Sequence, residues 1–354
     1  MDLARLGWNP HFEQHFARFR DGSVIPARVD CEHARVYFVY CEYGELAAKV
    51  SGKLLHAARS KGELPAIGDW VVVRPHLREA KATILAVLPR TSTFSRKVAG
   101  AITEEQILAA NVDKVFLVSS LDREFNLRRM ERYLTLALDS GAEPVVVLNK
   151  ADLCADIPWH VERVKRVAPG VPVYAVSAVC NEGLDTLREY TSSGQTVAFL
   201  GSSGVGKSSL INCLLGAERQ QVGAVRESDG RGRHITSRRE LVLLPGAGAV
   251  IDSPGMRELQ MWTDEESLKA SFDDIEELAA RCRFRDCTHK HEPGCAVRQA
   301  IDAGALDEER LANYFRLKKE VHRLASRKEG KERLLRRALR RRRAGLEAEA
   351  GDND

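Results

Sequence analysis

An apolar run, Thr196–Leu200, leads directly into Gly201-Ser202-Ser203-Gly204-Val205-Gly206-Lys207-Ser208, and then into the helical pattern Ser209-Leu-Ile-Asn-Cys-Leu-Leu. The octet fits G-x-x-x-x-G-K-[ST], and its place between a strand and a helix is the context that motif requires. Glycines are needed because backbone N–H groups must turn inward onto phosphate oxygens, in conformations that a Cβ hinders. The N-terminus of the following helix adds positive partial charge. Lys207 is expected to reach the β- and γ-phosphates of a nucleoside triphosphate. The Ser208 hydroxyl, with Ser209 beside it, is expected to meet Mg²⁺ and the phosphates.

A phosphate loop leaves the base open. Asn149-Lys150-Ala151-Asp152 follows the apolar run Pro144–Leu148, at the carboxyl end of a strand, where α/β sheets bind ligands. A carboxylate at Asp152 can accept from guanine N1–H and the N2 amino group. Adenine offers neither donor, and the carboxylate would be left unpaired. Asn149 is expected to bind the base edge and hold neighbouring loops, while the Lys150 stem covers the ring. Ser177-Ala178, after the next strand, supplies a backbone N–H for the guanine carbonyl. The predicted ligand is therefore GTP or GDP.

Asp252-Ser253-Pro254-Gly255 follows the run Ala249–Ile251. Asp252 is placed to hold the Mg²⁺ shell, and the Gly255 N–H to meet the γ-phosphate. Met256 comes next, where many GTPases carry a water-orienting Gln, and a thioether does not orient water. Slow intrinsic hydrolysis is expected unless another group or a partner positions the water. His234 and Thr236, in the Gly-rich basic segment Asp229–Arg239, are the candidates, with Thr236 a further Mg²⁺ ligand.

The motif order constrains the topology further. Ordinary GTPases run phosphate loop, switch, DxxG and base motif, whereas here the base motif comes first. The same sheet is assembled if the chain is cut and rejoined elsewhere, a circular permutation. Apolar runs at Lys114–Ser119, Pro144–Asn149, Val171–Val176, Thr196–Leu200 and Ala249–Asp252, with a helical stretch near Leu127–Leu138, predict a doubly wound sheet. Upstream, five short β-rich runs (Val24–Val29, Ala34–Tyr40, Glu45–Val50, Trp70–Pro75 and Thr83–Leu88) suit a small barrel, either an OB-fold or an SH3-like one. Aromatic residues Trp8, Phe12, Phe16 and Phe19 at near-helical spacing predict a helical lead-in, and Pro89–Gly100 reads as a linker. Beyond Trp262 the chain is helix-compatible.

Of eight cysteines, Cys282, Cys287 and Cys295 crowd into fourteen residues with histidines between them. In a reducing cytosol this crowding reads as a metal site. Three thiolates and one imidazole, from His289 or His291, make a full tetrahedral set for one structural Zn²⁺. The net charge of +4 conceals a basic block, since Arg310–Arg343 holds fifteen Lys or Arg against three Glu. Such a block neutralises phosphates, and ribosomal RNA is the expected partner. No apolar stretch of 18 or more residues and no signal segment is apparent, so a cytoplasmic protein without membrane association is expected. Nothing in the chain points to an obligate oligomer, and a monomer is expected.

Taken with its motif order, the chain resembles the circularly permuted small ribosomal subunit biogenesis GTPases, the RsgA (YjeQ) family, over roughly residues 24–320. The resemblance implies an OB-fold for the barrel, a permuted P-loop GTPase domain and a C-terminal helical zinc-binding domain. It also implies GTP hydrolysis stimulated by the small subunit, a role late in that subunit's maturation, and His289 as the fourth zinc ligand. Its switch histidine corresponds to His234, but Ile235-Thr236 stands where the family often has Thr-Thr. The resulting partition is a lead-in (1–23), barrel (24–92), GTPase domain (100–265), zinc domain (266–325) and basic tail with an acidic end (326–354). A competing expectation is a nucleotide-gated RNA-binding adaptor, or a GTPase serving another RNA or translational complex.

Overall fold

Five strands close a barrel near the N-terminus: β1 (Ile25–His33), β2 (Val36–Cys41), β3 (Gly44–Val50), β4 (Trp70–His76) and β5 (Lys81–Val87). Their order around the barrel is β1-β2-β3-β5-β4, with β3 and β5 parallel and β4 returning to pair with β1. That Greek-key order, with a short helix between β3 and β4, is the OB arrangement rather than the SH3-like one. The residues of one face alternate inward, Ala27 and Val29, Val39 and Cys41, Leu46 and Ala48, Val71 and Val73, and fill the barrel. In this computed structural model the described residues are 1–98, 104–122, 125–192, 194–216, 240–246, 248–252, 268–269, 271–319 and 321–322. The chain divides into two units, Met1–Gln260 and Met261–Asp354.

The aromatic lead-in folds as the helix α1 (Pro10–Phe16), which starts where Asn9 Oδ1 accepts from the His11 and Phe12 N–H groups and Pro10 enters the first turn. Its Phe12 and Phe16, with Leu6, pack on Trp70, Val72 and Leu88, the outward face of the barrel. Each such aromatic burial stabilises by about 1.5–3 kcal/mol. The helix between β3 and β4 is α2 (Gly52–Ala57).

Arg28, on β1, is fully buried where lead-in, barrel and downstream sheet meet. Its guanidinium donates to the carbonyls of Leu6, Gly68 (3.2 Å) and Asn111 (2.9 Å), and lies 5.6 Å over the Trp70 ring. Burial lowers its pKa to about 10, so it stays charged at neutral pH. Three carbonyls satisfying one buried cation tie these segments together.

The segment Pro89–Gly100 is not a plain linker. Thr93–Val98 (β6) pairs antiparallel with Glu104–Ala110 (β7) as a two-stranded sheet. Polar Ser95 to Lys97 and Glu104 to Gln106 give no apolar alternation, which hid both strands from the sequence pattern.

A six-stranded sheet follows, in the order β10-β9-β8-β11-β13-β12. Its strands are β8 (Lys114–Ser120), β9 (Glu143–Asn149), β10 (Val173–Ala175), β11 (Thr196–Leu200), β12 (Glu240–Leu243) and β13 (Ala249–Asp252). All neighbours are parallel except β12 and β13, which form an antiparallel hairpin. Helices α3 (Leu127–Ser140), α4 (Ile157–Val167), α5 (Leu184–Glu189) and α6 (Lys207–Leu215) complete the layer structure. The strands between them are continuous apolar runs because both faces are covered. On one face α5 and α6 bury Leu184, Leu187, Leu210 and Leu214 against Phe116, Val118, Val145 and Phe199. β12 touches the barrel, where the Leu241 N–H donates to Asp30 on β1 at 3.0 Å.

In the second unit the described residues hold helices and no strand. Helices Asp273–Ala279, Ala296–Asp302 and 308–319 gather Phe272, Ile275, Val297, Leu311, Tyr314 and Leu317 into a small core. Arg310 is buried there, paired through Nε and Nη2 with both oxygens of Asp274 at 2.8 Å. It is thus a core residue, although the sequence counts it within the basic block. Residues 326–343 of that block lie outside the described residues. No helix among the described residues is long and apolar enough to cross a membrane.

Candidate active site and metal centre

The phosphate loop runs from the end of β11, at the centre of the sheet, to the start of α6. Two glycines are there because nothing larger fits. A Cβ on Gly201 would lie 2.5 Å from the Val118 carbonyl oxygen, and one on Gly206 would lie 2.2 Å from Asn149 Nδ2, at φ +94°. The Lys207 ammonium is buried and donates back to the loop carbonyls of Gly201 (2.7 Å) and Ser202 (2.6 Å). Val205 is buried beneath the loop, while Ser203 and Gly204 are exposed at its crest and Ser208 and Ser209 are half-buried. Exposed N–H groups ahead of a helix, with a lysine folded into the same loop, form a ready anion site.

The base motif ends β9, two strands away, and Asn149 bridges the distance. Its Nδ2 donates to the Val205 carbonyl at 2.9 Å, and its Oδ1 accepts from the Ala178 N–H at 3.2 Å. One buried side chain therefore fixes the phosphate loop and the 177–178 loop to the base motif. Asp152 is exposed and accepts from the buried Ser177 hydroxyl at 2.6 Å, and Ser177 Oγ in turn accepts from the Cys180 N–H at 3.0 Å. Ser177 thus orients the carboxylate, a role the sequence reading did not assign to it. Lys150 has a left-handed backbone (φ +63°), and its ammonium is paired with Asp122 at 2.8 Å. Asp122 also accepts from the Ser120 hydroxyl at 2.7 Å, and Arg129 Nη1 donates to Ser202 Oγ at 2.7 Å. Neither Asp122 nor Arg129 carries a motif signature, and the sequence reading passed over both. Asp252 ends β13, half-buried, beside the Glu240 register position of β12. Gly255, Met256, His234 and Thr236 lie outside the described residues.

Cys282, Cys287, His289 and Cys295 form one cluster, with their donor atoms all within 4.8 Å of one another. His289 Nδ1 lies 3.5 Å from both Cys282 Sγ and Cys295 Sγ, which are 3.9 Å apart. His289 takes a left-handed backbone (φ +57°) to turn its ring inward, where it stacks on Phe315 at 6.3 Å. Burial holds its imidazole below the ordinary value and so favours the neutral form that ligates metals. Burial pushes the Cys282 thiol up, but the backbone N–H groups of Val297 and Ala296 together with the Cys295 and Cys287 side chains outweigh this and leave it below the ordinary value. Three thiols and one imidazole converging in this way fit Zn²⁺, and could hold that ion.

The comparison with known proteins follows the same lines. A family model described as RsgA GTPase matches residues 87–262. A relative from Opitutus terrae, named small ribosomal subunit biogenesis GTPase RsgA, is 47% identical over 329 residues, covering 90% of each chain. The chain belongs to the RsgA family. A second RsgA, from Syntrophotalea carbinolica, is 41% identical over 91% of this chain and 90% of its own. Among solved structures, YjeQ from Thermotoga maritima gives a TM-score of 0.63 at 27% identity, over 84% of this chain and 98% of that one. YloQ, described as a circularly permuted GTPase, gives 0.60 at 24% identity, a likeness of fold. The RsgA permutation is visible in the sheet itself: read from β11, the strands run β11, β12, β13, β8, β9, β10, the succession of an unpermuted GTPase. As an RsgA-family GTPase the chain is a GTP hydrolase.

Proposed function

We propose that the chain hydrolyses GTP as an assembly factor of the small ribosomal subunit, acting late in its maturation. The observation that carries the reading is the Asn149 side chain, which joins phosphate loop, base motif and 177–178 loop at the carboxyl ends of the strands. In this reading Asp152 selects guanine, the Ala178 N–H meets the guanine carbonyl, and the Lys150 stem covers the ring. Residues Gly201 to Ser209 wrap the phosphates, and Lys207 leaves its loop carbonyls for phosphate oxygens. Ser208, Thr236 and Asp252 would hold Mg²⁺, and the Gly255 N–H would meet the γ-phosphate. When bound, the ion neutralises the charge that develops on the transferred phosphoryl group. His234 positions the attacking water, since Met256 offers no group to do so. The small-subunit assignment is supported by the names of the relatives. The barrel and the basic tail are the surfaces that meet ribosomal RNA. One structural Zn²⁺ per chain holds the Cys282–Cys295 loop, and the protein acts as a cytoplasmic monomer.

The test is steady-state GTP hydrolysis by the purified protein, alone and with small or large ribosomal subunits, beside His234→Ala. A slow basal rate raised many-fold by small subunits only, and lost in the variant, is the expected result. A rate indifferent to small subunits would overturn the partner assignment and move the chain to the adaptor class.

A further inference from the structure

Two charged residues of the segment between β8 and the first turn of α3 reach both halves of the nucleotide site. Asp122 lies just beyond β8 and accepts from Ser120 Oγ and from the Lys150 ammonium. The pair is about three-quarters buried, with 29% and 25% of the two side chains exposed. Arg129 lies in the first turn of α3, where its own N–H donates to the cap Asn126 at 3.1 Å. From there its guanidinium donates to Ser202 Oγ, and the Ser202 carbonyl accepts from Lys207.

We infer that Asp122 and Arg129 are positioning residues for the GTPase reaction, Asp122 setting the base end and Arg129 the phosphate end. The inference rests on the proposed nucleotide site and deepens it. A lysine stem has four rotatable bonds, and freezing it costs rotamer entropy. Anchoring the Lys150 ammonium on Asp122 meets that cost in the folded protein before any base arrives. The stem is then preorganised, which raises affinity for any guanine nucleotide alike. Arg129 acts through one intermediary. By fixing Ser202 it fixes one of the two carbonyls that park Lys207, and so the path by which that ammonium reaches the phosphates. Its loss therefore falls on the triphosphate and on turnover, not on the base. The two residues predict opposite kinetic signatures from one short segment.

The experiment compares Asp122→Asn, Asp122→Ala, Arg129→Lys, Arg129→Ala and Ser202→Ala in the full-length protein. Fluorescent GDP and GTP titrations are paired with kcat and KM for GTP, and thermal melts identify any variant that fails to fold. Asp122→Ala is expected to raise Kd for GDP and GTP by one common factor, about tenfold for a partly exposed charge-assisted bond. Asp122→Asn keeps the acceptor and is expected to lose less. Arg129→Ala is expected to lower kcat and GTP affinity about tenfold with a smaller loss for GDP, which lacks the γ-phosphate, and Arg129→Lys to recover part of it. Ser202→Ala added to Arg129→Ala is expected to cost less than the sum of the two, because the two share a contact. Additive losses at 129 and 202, or an Asp122→Ala effect confined to kcat, would overturn the inference. Asp152→Asn separates the layers. If it weakens GTP while Asp122→Ala and Arg129→Ala bind and turn over like wild type, this inference alone fails. If Asp152→Asn binds GTP normally, the nucleotide site itself is misassigned.

Discussion

Replacing Asn149 by alanine tests whether base and phosphate recognition are one unit. The amide makes two hydrogen bonds, a buried one to the Val205 carbonyl at 2.9 Å and a partly buried one from the Ala178 N–H at 3.2 Å, and the residue is 2% exposed. Each bond is worth about 1 kcal/mol net, and a buried partner left unpaired costs roughly 1–3 kcal/mol. Water entering the vacated space recovers part of the second term, so a loss of about 2–4 kcal/mol in folding stability is expected. In the proposed site the two loops released are the ones that flank the nucleotide. If half of that loss is expressed in binding, Kd for GDP rises on the order of 5- to 30-fold. Fluorescent-GDP titration and urea unfolding of the same preparation measure both quantities. Gly206→Ala provides a cross-check, because its Cβ would strike Asn149 Nδ2, and the two changes should be strongly non-additive. A destabilised Asn149→Ala protein that binds GDP within twofold of wild type would refute the coupling and reduce Asn149 to a brace of the fold.

Three other outcomes are expected. Asp152→Asn should weaken GTP about 100-fold and restore tight binding to xanthosine triphosphate, read by competition titration; unchanged GTP affinity would contradict the base assignment. Cys287→Ser should abolish stoichiometric zinc by elemental analysis and lower the melting temperature of the C-terminal unit, as chelation should in the wild type. Asp30 gives a pH dependence: burial pushes its carboxyl up to about 6 from 3.8. The folded state thus retains a proton that the unfolded chain releases, so the contribution to stability is full below pH 4 and lost as pH rises through 6. A shift of 6 − 3.8 = 2.2 units corresponds to at most about 3 kcal/mol. Asp30→Asn keeps an acceptor for the Leu241 N–H and should gain on the wild type between pH 4.5 and 7.5 in urea unfolding. A constant difference across that range would refute it.

The parts of this molecule that were legible in the sequence are those whose physics is local. Gly201 to Ser208 read as a phosphate loop because the glycines, lysine and flanking apolar run are contiguous. The five barrel strands and five of the six sheet strands show as apolar runs between turn residues. β12 escaped notice because four residues after a Gly-rich basic segment carry too little pattern. The α4 helix begins at Ile157-Pro158, which reads as a break although proline is well placed in a first turn. Asp122, Ser177 and Arg129 owe their roles to partners 28, 25 and 73 residues away, and no spacing rule connects such residues. Arg310 shows the converse error, since its charge looks free in the sequence and is spent on Asp274 in the fold.

The permuted strand order also sets a schedule for synthesis. Strand β8 sits in the middle of the finished sheet, flanked by β9 and β11. On a ribosome its β9 neighbour arrives early, but β11 begins at Thr196, 196 − 120 = 76 residues after β8 ends at Ser120. At roughly 5–20 residues per second the apolar edge of β8 waits about 4–15 s without its partner. An unpaired edge of that kind is a template for aggregation. The phosphate loop, emerging directly behind β11, then closes onto an Asn149 that has been waiting. In an unpermuted relative the loop is made first and the base motif last, so the nascent chain exposes a different edge for a different interval.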